Sequence, residues 1–438
     1  MTTPLKEHYL AEMTRFQNGA AAEAVTHIRS RGKSAFQQMD FPGTKDEAWR
    51  QTNIKPILAH PFFLTGETQT DDAEIKKQLA LLPIGPDDYF LVTVNGRFSL
   101  RHSRLPSVSQ GYLGGLKEAV TEDMGATFTD LLQRSAYPAH AFLALNDAFL
   151  SDGTAILLEE NVKLDHTLHI VCLTGAAEDA SAIHERCLIR LKQGARACIA
   201  VHHAAIGHAP TVLHTFVEEY VLDRDSALIR LESLQDRADD YRISRLTVKQ
   251  KENSRLKSFS FALDPGKITR NEIQVELQEA GCTSRLYGMA LNTEKKLLDN
   301  DLLIHHRAPS CTSRMRYKQM LNGSSRGVFT GKIHVDKDAQ HTNSEQLSAN
   351  ILLSGQARMD AKPQLEIYAD DVRCTHGVTV GRPDPLALFY LRSRGIDSPL
   401  GTKMLSFGFA EDVISRVPDE SLKNWFSAEF WKRIQRET

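Results

Sequence analysis

The stretch GCTSRLYG at residues 281–288 is followed 29 residues later by SCTSRMRY at 310–317. The same order, a turn residue, then a small residue, then aliphatic residues among polar ones, occurs earlier as NSRLKSF (253–259), DSALIRL (225–231) and GARACI (194–199). The turn residues Gly194, Asp225, Asn253, Gly281 and Ser310 thus stand 31, 28, 28 and 29 residues apart. A second set of strand-like runs lies between them, such as TVLHTFV, YRISRLTV, KITRNEIQVEL and DLLIHH, so each period holds about two strands and their turns. Stacked β coils produce this pattern, because each unit can bury its apolar face only against its neighbours. The fixed Leu/Asn pattern of a leucine-rich repeat is absent. Helix-period stretches are scarce between about residues 153 and 380, which argues against alternating βα units, and the apolar/polar alternation predicts half-buried strands. An irregular antiparallel sandwich with fortuitous spacing is the alternative.

Outward from this core the texture becomes helical. In residues 5–39 the apolar Leu10, Met13, Phe16, Val25 and Ile28 form one stripe among Ala, Glu and Gln. Pro42 and Gly43 then break the chain, and Asp46 is placed to cap a helix ahead of Trp49. A strand at 89–94 is closed by the turn dipeptide Asn95-Gly96. After Asp384, Pro385 opens a helix with Leu388 and Leu391 on its buried face and Gly395 as terminator, and residues 398–417 and 420–436 predict two more helices. The expected organisation is a helical and mixed region (1–150), a solenoid core (151–382) and a C-terminal helical region (383–438), with the helical zones covering the solenoid ends.

The chain has 438 residues, 41% hydrophobic and 25% charged, the balance of a globular protein rather than a disordered or membrane-embedded one. Lys and Arg number 53 against 55 Asp and Glu, so the net charge of −2 supplies no general attraction to nucleic acid or to an anionic membrane surface. The N-terminal MTTPLKEHYLAEM lacks the apolar run of a secretory signal, which predicts a cytoplasmic protein. Six scattered cysteines without a CxxC then predict free thiols.

Most short motifs carry no chemistry. Gly327-Val-Phe-Thr-Gly331-Lys332 is one residue short of a phosphate-binding loop and leads into a strand, so the chain alone is not expected to hydrolyse ATP. Gly323-Ser-Ser325-Arg-Gly327 fits a nucleophile elbow in letters, but strands flank it on both sides where a strand and a helix are needed. In the pairs His202-His203 and His305-His306, adjacent strand residues point to opposite faces, so neither pair holds one ion. The same alternation separates Asp370 from Asp371, although a β-helical carbohydrate-active enzyme using them remains an alternative. Cys374-Thr375-His376 differs: on an extended strand residues i and i+2 share a face, with Cα atoms roughly 6–7 Å apart. Sulfur and nitrogen together suit iron, iron–sulfur clusters and zinc, but a purely structural pair is the alternative, and two ligands leave a four-coordinate site open, so a metal site here would need a second molecule to complete it. A homodimer storing metal through two symmetry-related pairs is one way to do so.

These residues lie within HTNSEQLSANILLSGQARMDAKPQLEIYADDVRCTHGVTVGRPDPLALFYLRSRGI (341–396), which resembles the C-terminal signature of the SufB/SufD family of iron–sulfur cluster assembly proteins. The form DDVRCTHGVTVG, with His two residues after Cys, looks like the SufD branch, and KDEAWRQTNIKPIL (45–58) resembles the family's N-terminal Glu-x-Trp-Arg-x-Thr segment. Val378 in place of a small Ala, and the extra proline in GRPDP, are departures that leave Cys and His untouched. The resemblance implies a right-handed parallel β-helix between helical domains. It further implies a non-enzymatic scaffold subunit that pairs with a SufB homologue and binds a SufC-type ATPase, with self-pairing open to the isolated chain. Carried over, Cys374 and His376 meet a transient iron–sulfur cluster at the SufB interface. The SufC contact falls in residues 388–395 (Leu388, Phe389, Tyr390, Arg392, Arg394 and Gly395) and the following helix.

Overall fold

A computed structural model describes residues 3–16, 22–65, 71–106, 111–121, 125–133, 137–175 and 178–437. The recurrence is a parallel β-helix. Sixteen strands, from Gly153–Leu158 to Arg373–Gly381, alternate between two ten-stranded sheets, so that each strand inside the stack pairs with the strands two before and two after it in about eight coils. The register runs without a shift through the later coils, where Thr283 pairs with Thr312 and Thr312 with Asn343, and shifts by one residue at Gln235 in an earlier one.

The recurring turn residue has a backbone reason. Gly194, Asp225, Asn253, Gly281 and Ser310 all have positive φ, between +56° and +75°, and His341 extends the series at +60°. This left-handed conformation favours Gly, Asn and Asp, which is why those types recur. It also turns each residue's N–H toward the next coil: Asp225 donates to Glu252 O, Asn253 to Ala280 O, Ser310 to Gln340 O and His341 to Asp371 O. The turns are therefore a hydrogen-bonded column running along the solenoid.

Inside, aliphatic and aromatic side chains from both sheets stack in rows, among them Leu286, Leu302, Ile304, Met315 and Phe329. The expectation of half-buried strands holds only for later coils. Leu168–Thr174 is buried at every position and Ser181–Leu191 at all but one, because other elements cover the outer faces too. Helices Thr3–Arg15, Glu23–Gln38 and Ala141–Ala148 contribute Tyr9, Phe36 and Phe142 to a core against Leu213, Tyr241 and Ile243 of the first sheet. The segment around Trp49 straps this face lengthwise. Arg270 lies 4.2 Å from the Trp49 ring centroid, Thr52 donates to Asp299 at 2.5 Å, and Glu47 reaches Lys362 at 2.6 Å. Asp46 does not cap a helix with its side chain; it accepts from Gly43 N and closes the preceding turn.

Coverage of the two ends is unequal. At the first end, strand Gly111–Gly115 and the hairpin Tyr89–Val94/Arg97–Phe98 extend and close the two sheets. At the other end no described residue pairs with the outer edges of Arg358–Ile367 and Arg373–Gly381. Helices Ser398–Ile414 and Glu420–Glu437 do not cover this end as expected. They pack along the outer face of the second sheet, where Val413, Phe426 and Phe430 meet Phe259, Phe261 and Met289. Asp412 pins the first of them, 2.8 Å from Lys318 Nζ and 3.4 Å from Arg316.

Candidate functional site

Cys374 and His376 lie on the last strand, in register with Ser344 and Gln346. Ser344 and Gln346 belong to the interior-facing row of their strand and are each 1% exposed. The row on which Cys374 and His376 continue is thus the solenoid interior, and in the last coil no described strand stacks over it. Cys374 is half-buried against a small cluster containing Ile333, Val335 and Ala369, while His376 is exposed. Burial raises the Cys374 thiol pKa, opposed by a backbone contact from Ser344, so the thiol stays protonated at neutral pH until a cation or metal reaches it.

The backbone of this strand is open as well. Arg373 N donates to Thr342 O at 2.8 Å, so Arg373 turns its polar groups inward to the preceding coil. Alternate residues of a parallel strand direct their amides to alternate sides, which leaves those of Cys374, His376 and Val378 on the free edge. An unpaired edge of this kind is a template for another strand.

A second surface lies on the helix Pro385–Ser393, which starts where Asp384 Oδ1 accepts from Leu386 N and ends before Gly395, at φ +85°. Leu388 and Leu391 turn toward the next helix, where Gly401 allows close approach. Leu386, Phe389 and Tyr390, spaced i, i+3 and i+4 on one helix face, are exposed by 78%, 68% and 58%, and Leu400 and Met404 on the next helix are exposed as well. Contiguous exposed apolar surface of this kind marks an interaction site. Of the residues expected to meet the ATPase, Phe389 and Tyr390 are on this surface, with the Arg394 guanidinium 5.3 Å from the Tyr390 ring, and Arg392 is exposed. Leu388 instead packs within the helix pair. Leu386 joins the surface without having been singled out; its i, i+3 spacing to Phe389 is the signal that could have found it.

The remaining sequence candidates separate as follows. Ser325 donates to Asn292 O at 3.0 Å in a buried turn, with no helix after it. Asp370 and Asp371 occupy an exposed turn, where Asp371 pairs with His341 at 2.9 Å. His202 faces Trp425 outside the second sheet and His203 faces Phe216 inside, opposite faces as expected. His306 is likewise interior, bonded to Ser313 Oγ at 2.9 Å. His305 faces outward, and the register places it beside His334, with Asp336 next to both. That grouping was missed, although IHHR at 304–307 and IHVD at 333–336 repeat at the coil period.

Comparison with known proteins agrees with this architecture. The family described as "SUF system FeS cluster assembly, SufBD core domain" matches residues 172–409, and "SufBD protein N-terminal region" matches residues 4–170. The iron–sulfur cluster assembly protein SufD of Escherichia coli is 27% identical over 399 residues, covering 90% of this chain and 89% of that protein. An iron–sulfur cluster assembly SufBD family protein of Synechocystis is 24% identical over 413 residues, covering 93% and 90%. With a signature segment on the uncapped last coil and both family regions matched in order, the chain belongs to the SufBD family of iron–sulfur cluster assembly proteins and is a homologue of SufD.

Proposed function

We propose that this chain is a scaffold subunit that pairs through its last coil with a SufB homologue and carries a SufC-type ATPase on its C-terminal helices. The observation that carries the reading is the unequal coverage of the solenoid: one end is closed by the chain's own strands, and the other presents two free strand edges and the interior row holding Cys374 and His376. A strand added to those edges by the partner would satisfy the outward amides and bring its own ligands over the same row. Cys374 Sγ and His376 then supply one soft and one borderline donor to an iron–sulfur cluster, which is cargo under assembly and is completed by the partner's ligands.

The chain has no phosphate-binding loop, so nucleotide hydrolysis falls to a separate subunit, recognised by the apolar surface of Leu386, Phe389 and Tyr390. No described helix is long and apolar enough to cross a membrane, in keeping with a proposed cytoplasmic location. In isolation the same free edges are open to a second copy of the chain. Co-expression with SufB and SufC homologues tests the reading. A stable ternary complex is expected, and a chain that never associates with either would overturn it.

A further inference from the structure

On the outer face of the first sheet, away from the row of Cys374, three side chains converge. His305 Nε2 lies 2.9 Å and His334 Nε2 3.1 Å from the same atom, Asp336 Oδ1. The two imidazole rings are 4.5 Å apart at 75°. The three ligand atoms lie within 4.8 Å of one another, and no other such group of His, Cys, Asp and Glu occurs among the described residues. The register makes the arrangement: His305 pairs with His334, and His334 with Glu366.

Glu366 supplies an independent observation. Its Oε2 lies 2.9 Å from His334 Nδ1, while its Oε1 is held by Lys332 Nζ at 2.6 Å. A carboxylate on Nδ1 fixes the tautomer of a neutral imidazole, with the proton on Nδ1 and the lone pair on Nε2. That lone pair points at a carboxylate oxygen, an acceptor facing an acceptor. Two arrangements relieve the conflict: a second proton on His334, or a cation between Nε2 and Asp336. Ligand bonds of about 2.0–2.2 Å around a tetrahedral ion place donor atoms about 3.3–3.5 Å apart, so each of the two His–Asp336 separations needs to open by only a few tenths of an ångström.

We propose that His305, His334 and Asp336 form a binding site for a divalent first-row transition ion, with Glu366 orienting His334. Two imidazoles and one carboxylate, each partly exposed, leave further coordination positions to water or to an exchanging ligand. The site shares no residue with Cys374 and His376, so it stands or falls separately from the proposed function.

The test uses the untagged full chain carrying Cys374→Ser and His376→Ala, stripped with chelator and titrated with Zn²⁺ against a chromophoric competitor. One equivalent is expected to bind. His334→Gln and Asp336→Asn, near-isosteric changes at partly exposed positions, should each weaken binding at least tenfold, since even an outer-shell change typically costs about 10–100-fold. X-ray absorption of the Zn²⁺-loaded protein should show imidazole and oxygen scattering without sulfur. Absence of stoichiometric binding, affinity unchanged in both variants, or sulfur in the coordination shell would each overturn the proposal.

Discussion

Gln346 and His376 are register partners on adjacent strands of one sheet, yet Gln346 is 1% exposed and His376 stands in the open. The same interior row is buried in one coil and uncovered in the next. A residue on that row in the last coil can therefore change without disturbing the solenoid beneath it.

His376→Ala should leave the thermal unfolding midpoint of the chain and its association with SufB and SufC homologues unaltered, within about 0.5 kcal/mol for an exposed position. Iron and acid-labile sulfide recovered with the purified complex should fall. Unchanged iron and sulfide would remove His376 from cluster assembly.

Phe389→Glu, on the exposed face of Pro385–Ser393, is expected to abolish co-purification of the SufC-type ATPase while keeping the SufB homologue bound. Leu388→Ala should instead lower stability, because Leu388 faces the neighbouring helix near Gly401. Size-exclusion profiles of the two variants separate these effects.

Gly281 has φ +75°, and a Cβ there would meet the Asn253 side-chain oxygen of the preceding coil. Gly281→Ala should cost roughly 1–2 kcal/mol from the left-handed backbone alone. Adding Asn253→Gly, which removes the clashing side chain and suits the positive φ at that position, should recover only the steric part. Urea denaturation of both variants measures the difference.

Acid should destabilise the fold. Burial lowers the pKa of His140, His169, His184, His202, His203, His214 and His306, the last to about 4. Below pH 6.5 the unfolded chain takes up protons that the folded chain refuses, so stability is lost as pH falls toward 4. Asp240 and Asp301, raised to about 6, together with Asp152 and Glu218, also raised, act in the opposite sense. Seven imidazoles outnumber four carboxyls, and the unfolding midpoint should fall between pH 7 and pH 5. A midpoint that rises over this interval would mean that the buried histidines are charged.

The solenoid was readable because the turn column needs a left-handed residue in every coil, and Gly, Asp and Asn at regular steps reveal that need. That Cys374 and His376 share a face was readable because i and i+2 on a strand do so without any knowledge of neighbours. The metal-ligating group was not, since His305 and His334 are 29 residues apart and meet only once the register is known. Nor was the free end. Residues 398–436 have the composition of helices that could cover a last coil, and only the apolar outer face formed by Phe259, Phe261 and Met289 determines that they lie along the second sheet instead.

The central claim is that the free edge of Arg373–Gly381 is where the partner's strand adds. Amide hydrogen exchange on this strand, measured for the chain alone and in complex with its SufB homologue, tests it most directly. The amides of Cys374, His376 and Val378 should exchange rapidly in the free chain and become strongly protected in the complex, while that of Arg373, already bonded to Thr342, changes little. A complex that forms while those three amides keep exchanging at their free rate would contradict the account.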